Sequence, residues 1–213
     1  MSKKTLIIFD FDGTVVDSLK ILGIVAEKLF EECKLGQFED TMVDKMRELS
    51  ARELITHFGV PLHKLPKIES VTRRLTGEHI DELQPIDGMI ELIKELAANN
   101  NVQLVLVTSN SRKNIDYLLK KFSIDSTFDS VYTGVGIFGK YIKIRRIAKK
   151  SRALQVASVG DEVRDIDAAR VAGVDSIAVD WGLNARVRLT KSRPTHVVSS
   201  AKQLRGVLQK YTD

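Results

Sequence analysis

Five short, uninterrupted apolar runs constrain this chain most: "TLIIFD", "VQLVLVT", "SVYTG", "VASVG" and "SIAVD". A strand that is apolar on both faces must be covered on both faces, as in a parallel sheet held between helical layers. Segments between most of these runs have helical periodicity. In "GMIELIKELAANN" the apolar residues fall at 89, 90, 92, 93, 96 and 97, before an Asn-rich stop. "SRKNIDYLLKKF" opens on Ser111, a predicted N-cap, and "EVRDIDAARVAG" closes on Gly173, a predicted C-cap. The alternation predicts an α/β fold with a doubly wound, Rossmann-like parallel sheet.

The first crossover is too long for that pattern, because a simple one needs only about a dozen residues. Residues 17–84 read as all-helical instead. "DSLKILGIVAEKLFEEC" carries an apolar stripe at 19, 22, 25/26, 29/30 and 33. "TMVDKMRELSARELITHFG" and "KIESVTRRLTGEHIDEL" follow, separated by the Pro61 and Pro66 region. We therefore expect an inserted helical cap over 17–84 and a core built from 1–16 and 85–213. Hinges are expected near Val15–Ser18 and Gln84–Gly88.

Composition narrows the class. With 43% apolar and 29% charged residues, the chain reads as a soluble globular protein. No run approaches the ~20 apolar residues of a membrane span. The basic start "MSKK" leads into an apolar run that Asp10 breaks, too short for a signal-peptide core. The lone cysteine, Cys33, excludes an internal disulfide and a cysteine-rich zinc cluster. A cytoplasmic location is expected. Charge is uneven: residues 1–86 carry a net −3 and residues 87–213 a net +8. "GKYIKIRRIAKKSR" has seven basic residues and no acid, and a second acid-free run covers 181–212. Apart from Tyr141 no aromatic side chains interleave the basic helix to stack bases, so these runs read as solvated faces rather than a nucleic-acid footprint.

In a doubly wound sheet, ligands sit at the carboxyl ends of the strands. The first strand ends in Asp10-Phe11-Asp12, and "LVLV" ends in Thr108-Ser109-Asn110. Lys140 stands in "GIFGK", and "VASV" ends in Gly160-Asp161-Glu162, with Asp165 one turn further on. Two carboxylates as close as Asp10 and Asp12 repel each other and lose hydration, so a cation is expected between them. Mg²⁺ takes hard oxygen ligands, which Asp10, Asp161 and the backbone carbonyl of Asp12 can supply. A carboxylate can also act as a nucleophile and form an aspartyl-phosphate. Thr108, the following N–H of Ser109 and Lys140 can neutralise phosphate oxygens. Asp12 is then free for proton transfer.

"DFDGTVVDS", "LVLVTSN", "FGK" and "VGDEVRDIDAARVAG" together resemble the four motifs of the haloacid dehalogenase-like superfamily, in the right order and over nearly the whole chain. The likeness is to its helical-cap phosphatases of the phosphoglycolate-phosphatase type. The resemblance implies a Mg²⁺-dependent phosphatase acting on a small phosphorylated metabolite. It implies Asp10 as nucleophile, Asp12 as general acid and base, Thr108 and Lys140 as phosphate binders, and Asp161 as a metal ligand. Asp165 would bind metal-held water or orient Lys140. Many relatives carry Lys-Pro where this chain has "GKYIK", which leaves Lys143 as a rival to Lys140.

Other readings stay open. A phosphomutase needs the same residues, and a non-catalytic nucleic-acid binder would use the basic C-terminal half. Dehalogenation needs neither the second aspartate nor a metal. Phosphonate hydrolysis needs a cap lysine, and Lys20 and Lys28 sit in no matching motif. Arg47 and Arg52 in the cap read as solvated helix face, with Arg52 the candidate for meeting an anionic substrate. The four histidines show no ligand spacing. A monomer or homodimer is expected.

Overall fold

The computed structural model describes residues 4–136 and 139–212. Met1, Ser2 and Lys3 of the basic start, and Ile137 and Phe138 of the "GIFGK" motif, lie outside the described residues, as does Asp213.

The five apolar runs form β1 (Thr5–Phe9), β4 (Val102–Val107), β5 (Ser130–Tyr132), β6 (Gln155–Gly160) and β7 (Asp175–Val179). A sixth strand, β8 (His196–Val198), extends the sheet, giving the order β5-β4-β1-β6-β7-β8 with every neighbouring pair parallel. The reading from sequence lacks β8, because "THVVSS" holds only two apolar residues between polar ones.

All five residues of β1 are buried because both faces are covered. Ile7 and Phe9 face one core with Leu104, Leu106, Val159 and Ile177. There they meet α5 (Met89–Ala98), α6 (Arg112–Lys121) and α10 (Ala201–Thr212). Leu6 and Ile8 face the other with Val105 and Val107, against α7 (Lys140–Ser151) and α8 (Val163–Ala172). Helix ends follow the predicted chemistry. The Ser111 side chain accepts from the Asn114 N–H at the start of α6, and Gly173 ends α8 with a left-handed φ of 72°.

Residues 17–84 hold α1 (Leu19–Cys33), α2 (Thr41–Glu48), α3 (Ala51–His57) and α4 (Leu65–Glu78). Phe30 of α1 meets Phe38 and Phe58 edge-on, at 5.4 and 5.2 Å between ring centroids. The segment is not wholly helical. Its ends pair as a short antiparallel ladder, β2 (Val16–Asp17) with β3 (Gln84–Pro85), at the two places expected to hinge.

Register sets the position of the polar residues. Phe9 lies level with Leu106 and with Val159. The residues that follow each strand therefore emerge along one edge: Asp10, Thr108 and Asp161.

Candidate active site

Beyond β1 the chain turns sharply. The Phe11 carbonyl accepts from the N–H groups of Thr14, Val15 and Val16, and Gly13 adopts a φ of 73° that side chains resist. Gly13 is also required by space: a Cβ there would lie 2.2 Å from Oδ2 of Asp161. From the opposite side, a Cβ on Gly182 would lie 2.3 Å from the same oxygen. Two bare backbones thus clamp the Asp161 carboxylate. Its Oδ1 accepts from the Thr14 hydroxyl at 3.0 Å and its Oδ2 from the Leu183 N–H at 2.7 Å.

Asp10, Asp161 and Asp165 are all buried, and each presents a carboxylate oxygen within 4.8 Å of the others. Lys140, the first residue of α7, is 6% exposed. Its Nζ lies 2.8 Å from Asp10 Oδ2 and 2.5 Å from Asp165 Oδ1. Lys143 goes elsewhere, with its Nζ 4.4 Å from the centre of the Tyr132 ring. Asp165 is fixed by two further constraints. Its Oδ2 accepts from the Glu162 N–H at 3.1 Å, and a Cβ on Gly160 would strike it.

Asp12 stands outside this triad and has its own partners. The Asn110 side-chain amide donates to both its oxygens at 3.1 Å, and the Thr108 hydroxyl lies 3.5 Å from Oδ2. Asn110 is held in turn by Asn114, whose amide donates to it at 2.9 Å and also to the Arg73 carbonyl of α4. Ser109 receives the Arg73 guanidinium on its carbonyl at 2.7 Å.

Charge is unbalanced here. Burial raises the Asp10 carboxyl above its ordinary range, although Lys140 opposes the shift. Asp161 is pushed well above it, by burial first and then by the neighbouring carboxylates of Glu162, Asp10 and Asp165. Burial and the Asp10 charge push Asp12 up to about 6. Burial disfavours the Lys140 charge, but Asp10 and Asp165 outweigh it and hold the ammonium above the usual lysine range. Arg164 behaves likewise beside Glu162, which its guanidinium reaches at 2.5 Å. The donor set left for a cation is entirely oxygen, buried and net negative, which suits a hard divalent ion.

Two hollows meet at Arg164. One of ≈ 230 Å³ lies under the cap, between Asp12, Ser109 and Asn110 below and Ile21, Leu22 and Ile68 above. The other, ≈ 540 Å³, is lined by Lys140 and by Arg52 of α3, which places Arg52 at the site's margin. Arg47 is engaged otherwise, donating to the Gly182 carbonyl at 3.2 Å. Sequence reading missed the contributions of Asn110, Thr14 and Arg164. All three stand inside the quoted motifs, but only the geometry shows what they touch.

A six-stranded parallel sheet with a largely helical insertion after its first strand, and acids gathered at its carboxyl edge, defines a doubly wound α/β protein with a buried oxygen-rich site. The chain belongs to the haloacid dehalogenase-like hydrolase family, which it matches over residues 7–179. It is 30% identical over 201 residues to a phosphoglycolate phosphatase of Synechococcus elongatus, covering 93% of this chain and 94% of the relative. It is 24% identical over 224 residues to the pyrophosphatase PpaX of Bacillus mycoides, covering 98% of each. Among solved structures, a haloacid dehalogenase-like protein of Streptococcus pneumoniae superposes with a TM-score of 0.75 at 21% identity, covering 98% of this chain and 100% of that one. A hydrolase of Pseudomonas syringae superposes at 0.78 with 18% identity and the same coverage.

Proposed function

We propose that this enzyme is a Mg²⁺-dependent phosphatase that hydrolyses a small phosphomonoester through an aspartyl-phosphate on Asp10. The observation that carries the reading is the buried cluster of Asp10, Asp161 and Asp165, with Lys140 as its internal cation. The relatives named as phosphatases support the reaction class. The ≈ 230 Å³ hollow beside Asp12 supports a small substrate.

Asp10 and Asp161, with the Asp12 backbone carbonyl, would hold the Mg²⁺. Bound there, the ion would neutralise phosphate oxygens and offset the repulsion among the carboxylates. An oxygen of Asp10 forms a bond to phosphorus as the bond to the leaving oxygen breaks. Asp12, hydrogen-bonded by Asn110 and raised to about 6, gives its proton to that leaving oxygen. It then takes a proton from the water that attacks phosphorus and releases Asp10. Thr108, the Ser109 N–H and Lys140 meet the equatorial oxygens. Asp165 keeps Lys140 aimed at Asp10. Residues 17–84 act as the cap and exclude water, over a core of 1–16 and 85–213.

Phosphate release from a panel of small phosphomonoesters, with and without Mg²⁺, tests this. Wild type should turn over at least one of them only with the metal. Asp10→Asn should lose about four orders of magnitude or more. Equal turnover by Asp10→Asn would sink the covalent mechanism.

A further inference from the structure

Asn184 is 1% exposed and serves two separate parts of the molecule at once. Toward the core, its backbone N–H donates to the Asp161 carbonyl at 3.2 Å, and its Oδ1 accepts from the Val163 N–H at 2.9 Å. Toward the cap, its Nδ2 faces the carbonyls of Leu49 at 3.0 Å, Arg47 at 3.3 Å and Met46 at 3.5 Å. Those carbonyls end α2, where a helix has no internal partners for its last C=O groups.

Neighbours repeat the pattern. Leu183 gives its N–H to Asp161 Oδ2, while its side chain packs with Phe30 and Met46 of the cap. Ala185 donates to the Arg47 carbonyl at 2.9 Å, and Arg47 donates to the Gly182 carbonyl. A plain C-cap would need only the amide donor. Here the same side chain also fixes the N-terminus of α8, and the same loop grips the carboxylate assigned to the metal.

We propose that Asn184 is a positioning residue that couples the seating of the cap to the setting of Asp161, so that metal binding at the core tightens α2, which holds no metal ligand. The inference rests on the metal-site reading above. With Nδ2 lost, the Leu49 and Met46 carbonyls lose their donor from the core, and the loop 181–185 keeps only the two Arg47 hydrogen bonds and the Leu183 packing as its ties to the cap.

Hydrogen exchange on the full chain, with and without MgCl₂, tests the coupling. In wild type, Mg²⁺ should slow exchange in 158–166 and also in 41–49. In Asn184→Ala, it should slow 158–166 as before and 41–49 severalfold less than in wild type. Half-saturating Mg²⁺, followed by the fluorescence of the sole tryptophan, Trp181, should rise about tenfold. Trp181 donates to the Thr14 carbonyl at 3.1 Å, next to the Asp161 partner hydroxyl, so it senses this loop. If Asn184→Ala does not fold, Asn184→Asp keeps the acceptor for Val163, loses the donor to the cap, and is read in the same way. Protection of 158–166 in wild type with 41–49 unchanged overturns the coupling and leaves the metal site standing. Equal protection of both segments in the variant also overturns it. No protection anywhere in wild type overturns the metal reading and this inference together.

Discussion

Asp12 shows how burying a carboxyl beside another can cost stability. Unfolded, it ionises near 3.8; folded, burial and the Asp10 charge push it up to about 6. Between those values the folded protein holds a proton that the unfolded chain has released. Stability of the metal-free protein therefore falls as pH rises through that window. Asp12→Asn carries no such charge. In chelator, its stability advantage over wild type should grow by about 2 kcal/mol between pH 4 and pH 8, measured by denaturant unfolding. On the proposed mechanism its kcat should fall about 10²- to 10⁴-fold, with the general acid gone. A constant stability gap across pH would refute the buried-proton account. The two lysines separate as sharply. Lys140→Met leaves Asp10 and Asp165 facing each other without a cation, and should cost about 3 kcal/mol or more. Lys143→Met loses a contact with the Tyr132 ring worth about 1 kcal/mol or less, and should leave kcat unchanged.

Elements place these residues, and their caps decide how firmly. Ser111→Ala removes the N-cap of α6 and should lower stability by about 1 kcal/mol, seen as a drop in Tm. The loss matters for the site because Asn110, which holds Asp12, directly precedes that cap. Much of this was legible beforehand. Continuous apolar runs gave away β1, β4, β6 and β7, since strands covered on both faces cannot alternate. The caps at Ser111 and Gly173 followed from residue type alone. β8 was hidden because an edge strand of three residues needs little apolar surface. The β2–β3 ladder was hidden because two residues make no pattern. At the site, Asp10, Asp161, Asp165 and Lys140 could be gathered from the rule that ligands bind at strand ends. Which way each points could not. Asp12 turns to Asn110, Lys143 to a tyrosine, and Asn184 into the cap, through contacts spanning up to 138 positions in the chain.

Over the whole molecule, charge runs opposite to the site. The carboxylates are buried within a chain of net charge +5, and Arg52, Arg164 and Arg170 line the groove beside Lys140 and outnumber Asp167, its one acid among the described residues. Such a rim raises the local concentration of anions. For an anionic substrate, kcat/KM should fall severalfold from low to high ionic strength while kcat holds, because salt screens the approach and not the chemistry. A salt-independent kcat/KM would assign the basic residues to solvation alone.

β1 precedes every other strand among the described residues and stands in the middle of the sheet, with Ile7 opposite Leu104 on one side and Ala157 on the other. Both partners lie far along the chain, so their pairing must close long loops and is slow to form. Asp10 therefore precedes in the chain the residues that complete its surroundings, Lys140, Asp161 and Asp165. Until Asp161 and Asn184 have emerged, Asp10 is an ordinary carboxylate in an unfinished chain. Because β1 takes its sheet partners and Asp10 its carboxylate neighbours from later in the chain, the cluster cannot assemble before Asp165 has been made.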